Sequence, residues 1–545
     1  MQTRSDGHLW ARIVCGVLLS AIWLTGPVAA SDSPRLVVIL VIDQFRADYI
    51  DTYGQQWTHG LRRLVDGGAR FTDAAYPYFS TVTCAGHATI ATGSFPATHG
   101  MIANSWWDRE TGRSVRCTFD PQTPAISYGV TDVTRDGESG HRLLVPTLAD
   151  EMRTQLDGGV RVATFSLKER SAIALAGQRA DALLWLGGDG SWLTSRAFSS
   201  RPVTFLADVI STHPMTSAFG DAWVRTTDAA GYLYKDDAEG ERPPAEWGRT
   251  FPHPLAGADR QFIERWKTSP WSDAYLARLG IWAVEYLDLG QRNTTDYLAI
   301  GFSALDLVGH RFGPRSHEVQ DLLIQLDRTI GELLDELDRR VGTDRYVVAL
   351  SADHGVSPVP EQMQAAGFDA GRVRMRTIRE RVESTLVARF GPGTYVAGVR
   401  AGGVYFAPGV YERLEADPSA LEAAIRMLED TPGIAQVFRH KALAAGEAAA
   451  DPEIRAVALS FHPDRSGDLL FTQKPYWISG SAASHGTSNL YDRRVPLILY
   501  GAGMCAGRYA GPATPADIAP TLGRLIGVTL ARPDGRVLTE ALHCR

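Results

Sequence analysis

The 545-residue sequence predicts an α/β protein: a mostly parallel central sheet flanked by helices, with insertions forming a cap or accessory subdomain. Three observations carry this expectation. Short β-branched apolar runs alternate with segments of helical periodicity. Two stretches, near residues 185–270 and 360–470, interrupt that alternation without an internal repeat. The composition, 44% hydrophobic and 21% charged, excludes disorder as the main state.

Residues 1–30 read as a secretory signal. Arg4 and Arg12 give the positive start, residues 13–25 a short apolar run, and Val28-Ala29-Ala30 a small-residue cleavage site. The run is shorter than the ~20 apolar residues that span a bilayer. The mature chain is therefore expected to be exported, periplasmic or extracellular, with no stable membrane anchor. Processing removes Cys15 and leaves Cys84, Cys117, Cys505 and Cys544. An even number in an exported protein suggests two disulfides; Cys84–Cys117 with Cys505–Cys544 is one connectivity of three.

A buried strand is expected over 35–42 (RLVVILVI) and a helix over 56–66. A helix over 146–156 starts with Pro where a first turn tolerates it. Strand 160–166 follows. Helix 271–289 leads to strand 297–302, and helix 318–341 to strand 346–351. A late strand at 495–500 precedes a helix at 515–526. The 185–270 stretch is rich in Gly, Pro, Trp and Asp and carries a charged turn at 236–242. The 360–470 stretch has its own helices, at 378–390 and 420–429.

Charge narrows the function classes. The net charge is −7, and loss of the signal leaves −8. A mildly acidic chain is a poor binder of nucleic-acid polymer, but a locally positive site for a small phosphate compound is compatible with it.

Candidate polar residues sit where strands end. Asp43 closes the first strand. Asp306 and His310 follow strand 297–302. Asp353 and His354 close strand 346–351, and His485 lies shortly before strand 495–500. Ligands of open α/β sheets bind beyond the carboxyl ends of the strands, and three Asp with three His suit zinc. Each alone has a structural reading: a turn, a solvated pair, a structural histidine. A hydroxyl nucleophile is offered by Thr83, just before a small-residue helix at 85–92, where a helix start favours negative charge. Thr83 reads equally as an N-cap, and Ser80 and Thr81 are rival hydroxyls.

The segments VIDQFR, TCAGHATIATGSFPATHG, Asn104, DLVGH, ADHG and SHGTSNLYDRRVPLILYG, in this order, resemble the alkaline phosphatase superfamily. The nearest branch is the secreted monomeric bacterial enzymes with a threonine nucleophile, of the PafA or PhoK type, relatives of the nucleotide pyrophosphatases/phosphodiesterases. The resemblance implies an alkaline-phosphatase-like fold and two zinc ions per subunit. It makes Thr83 the phosphorylated nucleophile. Asp43, Asp353 and His354 would hold one zinc with Thr83, and Asp306, His310 and His485 the other. Asn104 would donate to a phosphate oxygen. Lys168 and Arg170, in SLKER, match the K-x-R pair of the monoesterase branch; diesterase relatives have an apolar pocket there. Outside that context the pair reads as a surface cluster with Glu169.

Charge agrees with this assignment. Two zinc ions roughly balance three aspartates and a threonine alkoxide, and two added cations suit a phosphate monoester dianion. The expected activity is monoester hydrolysis through a phosphothreonine by a monomer acting on small substrates. A diesterase of the same superfamily and a non-catalytic zinc- or phosphate-binding relative are the alternatives. A sulfatase is disfavoured because Cys84 lacks the Pro and Arg of C/S-x-P-x-R.

Overall fold

Seven consecutive apolar residues form β1 (Leu36–Ile42), all buried. An unbroken apolar run instead of alternation is what a strand covered on both faces requires. In the computed structural model, which describes residues 33–128, 137–443 and 449–542, β1 lies inside a ten-stranded sheet. The segment 1–30 and Cys544 lie outside the described residues.

The other strands are β2 (Ala69–Ala74), β3 (Ala125–Tyr128), β4 (Val162–Ser166), β5 (Ala182–Leu186), β6 (Trp192–Ser195), β7 (Asp296–Phe302) and β8 (Tyr346–Ser351). A second sheet contains β9 (Val396–Arg400), β10 (Gly403–Phe406), β11 (Ile434–Arg439) and β12 (Leu469–Gln473). The chain then returns to the first sheet with β13 (Leu497–Gly501) and β14 (Gly507–Ala513). The order in the large sheet is β14-β2-β13-β8-β1-β7-β4-β5-β6-β3.

The five central strands, β8-β1-β7-β4-β5, are parallel throughout. The margins differ from the expectation. β13 runs antiparallel to both β8 and β2, and β6 antiparallel to β5 and β3, so the sheet is mixed. The chain leaves β8 at its carboxyl end and re-enters as β13, paired register to register with it, from that same edge. The apolar run alone does not encode that direction. β5 and β6 also show that the 185–270 stretch begins as part of the sheet before it departs from it.

The helices used below are α1 (Thr83–Thr92), α2 (Leu148–Gln155), α3 (Glu169–Ala176), α4 (Pro270–Tyr286), α5 (Ala304–Phe312), α6 (His317–Arg340), α7 (Met375–Phe390), α8 (Pro418–Glu429) and α9 (Ile518–Ile526). Side chains of β1 divide by parity. Leu36, Val38, Leu40 and Ile42 share a core with α4 and α6. Val37, Ile39 and Val41 share the opposite core with α2 and α9. α2 begins with a Thr147/Asp150 capping box, and Ser316 caps α6 through Val319 N–H.

The helix expected from residue 56 starts only at Gly60. Asp327 of α6 accepts Thr58 and His59 N–H at 2.7 and 2.9 Å and holds those residues outside the helix. The second sheet packs with α7 and α8 around its own core, which includes Val382, Val404, Leu428 and Phe471. Cys84 and Cys117 form a disulfide. Among the described residues, no helix is long and apolar enough to cross a membrane.

Candidate functional site

The carboxyl ends of the parallel strands deliver the polar residues to one edge. β1 leads into Asp43 and β8 into Asp353 and His354. β7 leads through Ser303 into α5, whose first and last turns carry Asp306 and His310. β4 leads to Lys168, the residue before α3. His485 comes from the loop that returns the chain to β13.

These side chains meet. Donor atoms of Asp43, Asp353 and His354 all lie within 4.8 Å of one another, and so do those of Asp306, His354 and His485. His354 Nε2 is 3.4 Å from Asp43 Oδ1 and 3.3 Å from Asp353 Oδ2. Asp306 Oδ1 is 3.2 Å from His310 Nε2 and 3.6 Å from His485 Nε2. The rings of His354 and His485 stack at 3.5 Å between centroids. His310 thus touches Asp306 but stands outside the compact trio that His354 joins.

Several features fit this cluster to divalent metal. Nδ1 of His310, His354 and His485 each faces a backbone carbonyl, of Ala483, Gly355 and Thr81, at 2.8, 2.9 and 2.9 Å. That fixes the tautomer and turns each Nε2 lone pair inward. Asp43 Oδ1, Asp353 Oδ2 and His354 Nε2 are buried without a hydrogen-bond partner, an arrangement that is costly unless a ligand satisfies them. Carboxylate and imidazole donors without thiolate suit zinc.

The charges are tightly coupled. Burial pushes Asp43 well above the usual carboxylate range, Asp306 and Asp353 add to the rise, and Lys168 opposes it. Burial also raises Asp306 and Asp353, yet the neighbouring imidazoles and the Lys168 ammonium prevail. His310 and Lys168 hold Asp306 low, and His354 and His87 hold Asp353 low. Burial keeps His354 and His485 below their ordinary values, in the neutral form that a metal ligand needs.

The first turns of α1, which begin with Thr83, pack against Asp353. Thr83 is the first helical residue, after Val82 in extended conformation, so it is not the N-cap. It is 1% exposed. Gly86 lets α1 touch the Asp353 backbone: a Cβ there would lie 2.5 Å from Asp353 Cα and closer still to its carbonyl oxygen. His87 Nδ1 sits 2.9 Å from Thr83 O and 3.3 Å from Asp353 Oδ2.

Asn104 Oδ1 accepts Cys84 N–H at 2.8 Å, which leaves its amide N–H groups free to donate beside Thr83. The Lys168 ammonium contacts Asp43 Oδ2 and lies 2.6 Å from Asp306 Oδ2. Arg170 lies beside it in the first turn of α3. It meets Glu169 at 3.4 Å and leaves its Nε without a partner. Trp106, which follows Asn104 closely, is a core residue with Arg142 and Arg465 against its ring.

Sequence reasoning overlooked Gln44. Its φ is +70°, unusual for a non-glycine residue. Its N–H donates to Asp353 Oδ1 at 3.1 Å and its side-chain amide to Asp306 Oδ1 at 2.7 Å, so one residue ties both carboxylate groups. Gly309, in DLVGH, makes room for it: a Cβ there would collide with Gln44 Oε1. Asp273 was also missed. Buried, it accepts Ser303 and Ala304 N–H at 3.0 and 3.1 Å and anchors the start of α5. Adjacency to Asp43 was the one available signal for Gln44; Asp273 had none.

The chain matches the family model of type I phosphodiesterase/nucleotide pyrophosphatase over residues 37–494. A Myroides odoratus protein named a calcium-transporting ATPase is 29% identical, covering 93% of this chain and 94% of that protein. Alkaline phosphatase PhoK of a Sphingomonas species is 31% identical, covering 93% and 91%. The crystal structure of wild-type alkaline phosphatase PafA, an Elizabethkingia meningoseptica protein, superposes with a TM-score of 0.88 at 27% identity, covering 94% of this chain and 99% of that one.

Proposed function

The chain belongs to the type I phosphodiesterase/nucleotide pyrophosphatase family of the alkaline phosphatase superfamily, and on that premise we propose that it is a zinc-dependent alkaline phosphatase hydrolysing phosphate monoesters through a phosphothreonine at Thr83. The observation that carries the monoester reading is Lys168. A buried ammonium at the centre of the carboxylate cluster, with Arg170 beside it, supplies cationic charge that a monoester dianion needs and a diester monoanion does not.

Asp43, Asp353 and His354 would hold one zinc together with the Thr83 oxygen, and Asp306, His310 and His485 the second. Zinc, when bound, supplies Lewis-acid stabilisation of the attacking and leaving oxygens. The protein's own groups do the rest. Gly86 and the Asp353 contact fix Thr83 for in-line attack on phosphorus, and positioning of this kind carries most of the barrier reduction in phosphoryl transfer. With metal on Asp43 and Asp306, the Lys168 ammonium would be free to serve the phosphoryl oxygens together with Arg170 and the Asn104 amide. Attack by the Thr83 oxygen breaks the P–O bond to the organic group, which leaves as the alcohol with the proton that Thr83 gives up. Water then attacks the phosphothreonine, the P–O bond to Thr83 breaks, a water proton returns to the Thr83 oxygen, and phosphate leaves. Export to an oxidising compartment is supported by the Cys84–Cys117 disulfide. The enzyme is a monomer in this reading.

Turnover of p-nitrophenyl phosphate against bis(p-nitrophenyl) phosphate by the zinc-loaded protein tests the proposal. A higher kcat/KM for the monoester, lost selectively in Lys168→Ala, is expected. A diester preference, or undiminished monoester turnover in Lys168→Ala, would refute it.

A further inference from the structure

Thr83 stands at the end of a helix, and helix ends fray. As the first residue of α1 it follows Val82, which makes no side-chain capping hydrogen bond. The first-turn N–H groups need partners from elsewhere. Asn104 supplies one: its Oδ1 accepts Cys84 N–H at 2.8 Å across a sequence distance of 20. Only the oxygen of an amide can meet an N–H, so this bond also fixes how the Asn104 side chain is turned. The amide that closes the start of α1 thereby keeps its NH2 for another acceptor.

Asn104 is held through its backbone too. Its carbonyl accepts Cys117 N–H at 3.1 Å, just beyond the last pair, Ser105 with Arg116, of a two-stranded hairpin. Cys84 and Cys117 are joined by the disulfide. The residue after Thr83 is thus linked covalently to the residue that pairs with Asn104. Both cysteines are buried, at 0% and 1% exposure. They share a small core with Ala88 of α1, Trp106 and Val115 of the hairpin, and Ala174 of α3.

The chain between Thr83 and Asn104 runs out along α1 and returns through residues 93–103, so the backbone by itself does not set their separation. The other tie printed across this contact is a hydrogen bond from Ser80 Oγ to Ile102 O, at 2.5 Å. Each such bond contributes only ~0.5–1.5 kcal/mol net and opens in local fluctuations; the S–S bond does not.

We propose that the Cys84–Cys117 disulfide is a positioning element for phosphoryl transfer, which holds the Asn104 amide and the Thr83 oxygen on one phosphoryl group. The inference rests on the roles proposed above for Thr83 and Asn104 and adds the covalent bond that sets their spacing. Without it the first turn of α1 and Asn104 drift relative to each other. A misplacement of ~1 Å costs ~100-fold in an aligned reaction.

A double-mutant cycle tests this. It crosses the Cys84→Ala/Cys117→Ala pair with Asn104→Ala in zinc-loaded, full-length mature protein, each form assayed well below its own Tm. The readouts are kcat and KM for p-nitrophenyl phosphate, inhibition by inorganic phosphate, and zinc content. The Cys pair is expected to lower kcat/KM ~10–100-fold and to weaken phosphate inhibition, with zinc content unchanged. In the Asn104→Ala background the same pair should cost less than ~3-fold, because the group it positions is already gone. If the Ala pair does not fold, Cys117→Ala, which leaves the side chain next to Thr83 intact, must show the same pattern. A Cys-pair kcat/KM within twofold of wild type overturns the proposal, and so do equal losses in both backgrounds, the result expected of a disulfide that serves stability alone. In those two cases the proposed function stands. Asn104→Ala with wild-type kcat/KM overturns the proposal together with the role assigned to Asn104.

Discussion

Gly86→Ala is a small perturbation with a large expected effect. The added Cβ would lie 2.5 Å from Asp353 Cα and 2.6 Å from its carbonyl carbon. Ordinary contact at this kind of surface needs about an ångström more, and both neighbours are backbone, so no side chain can swing aside. Overpacking of a close-packed interior costs ~1–3 kcal/mol; the rigid obstruction argues for the upper end. Alanine returns ~1 kcal/mol in helix propensity over glycine, leaving a net loss of ~2 kcal/mol. The larger effect is on rate. α1 must retreat from Asp353 by roughly 1 Å, and Thr83 moves with it; a displacement of that size costs ~100-fold in a reaction that depends on alignment. The assay is kcat/KM for a phosphate monoester at saturating zinc, paired with urea unfolding. A Gly86→Ala enzyme within twofold of wild type in kcat/KM, or more stable than wild type, would refute the reasoning.

Other predictions follow from single contacts. Gln44→Ala removes the side-chain hydrogen bond to Asp306 and should weaken zinc binding ~10–100-fold, read by competition with a chelating dye; unchanged affinity would dismiss the bridge. The Cys84–Cys117 disulfide closes a loop of sequence separation 33, so its removal by paired Ser substitution should cost ~3–4 kcal/mol in urea unfolding; a loss below 1 kcal/mol would count against this. Burial holds Asp492 at about 8 in the folded protein, far above its unfolded value. The folded state therefore keeps a proton that the unfolded state releases, and stability contributed by this group falls from about pH 4 to pH 8 by ~1.4 kcal/mol per unit. Asp492→Asn should flatten that fall and gain on the wild type at alkaline pH. Parallel stability–pH curves for the two proteins would contradict it.

Much of the fold was legible because its signals are local. β1 is a continuous apolar run, β7 and β8 are nearly so, and α6 repeats its apolar positions over 24 residues, so burial largely defines them. Strand direction at the margins was not legible, since β13 is antiparallel because of where the chain re-enters. The start of the helix at Gly60 depended on Asp327, far along the chain. At the site, Asp and His at strand ends were legible as candidate ligands, and the structure brings them together. Thr83 was placed ahead of the helix it in fact begins, because a threonine hydroxyl is a common helix N-cap. Gln44, Gly309 and Asp273 act through partners remote in sequence, and no spacing rule connects Gln44 with the glycine that admits it.

As proposed, the protein is a two-zinc monoesterase with Thr83 as nucleophile. Diffraction at the zinc edge from crystals grown with zinc and phosphate tests it most directly. Two anomalous peaks are predicted, one ligated by Asp43, Asp353, His354 and Thr83, the other by Asp306, His310 and His485. The anion should lie between them, with Lys168, Arg170 and Asn104 on its oxygens. A single metal at this edge, or a phosphate that meets neither Thr83 nor Lys168, would contradict the account.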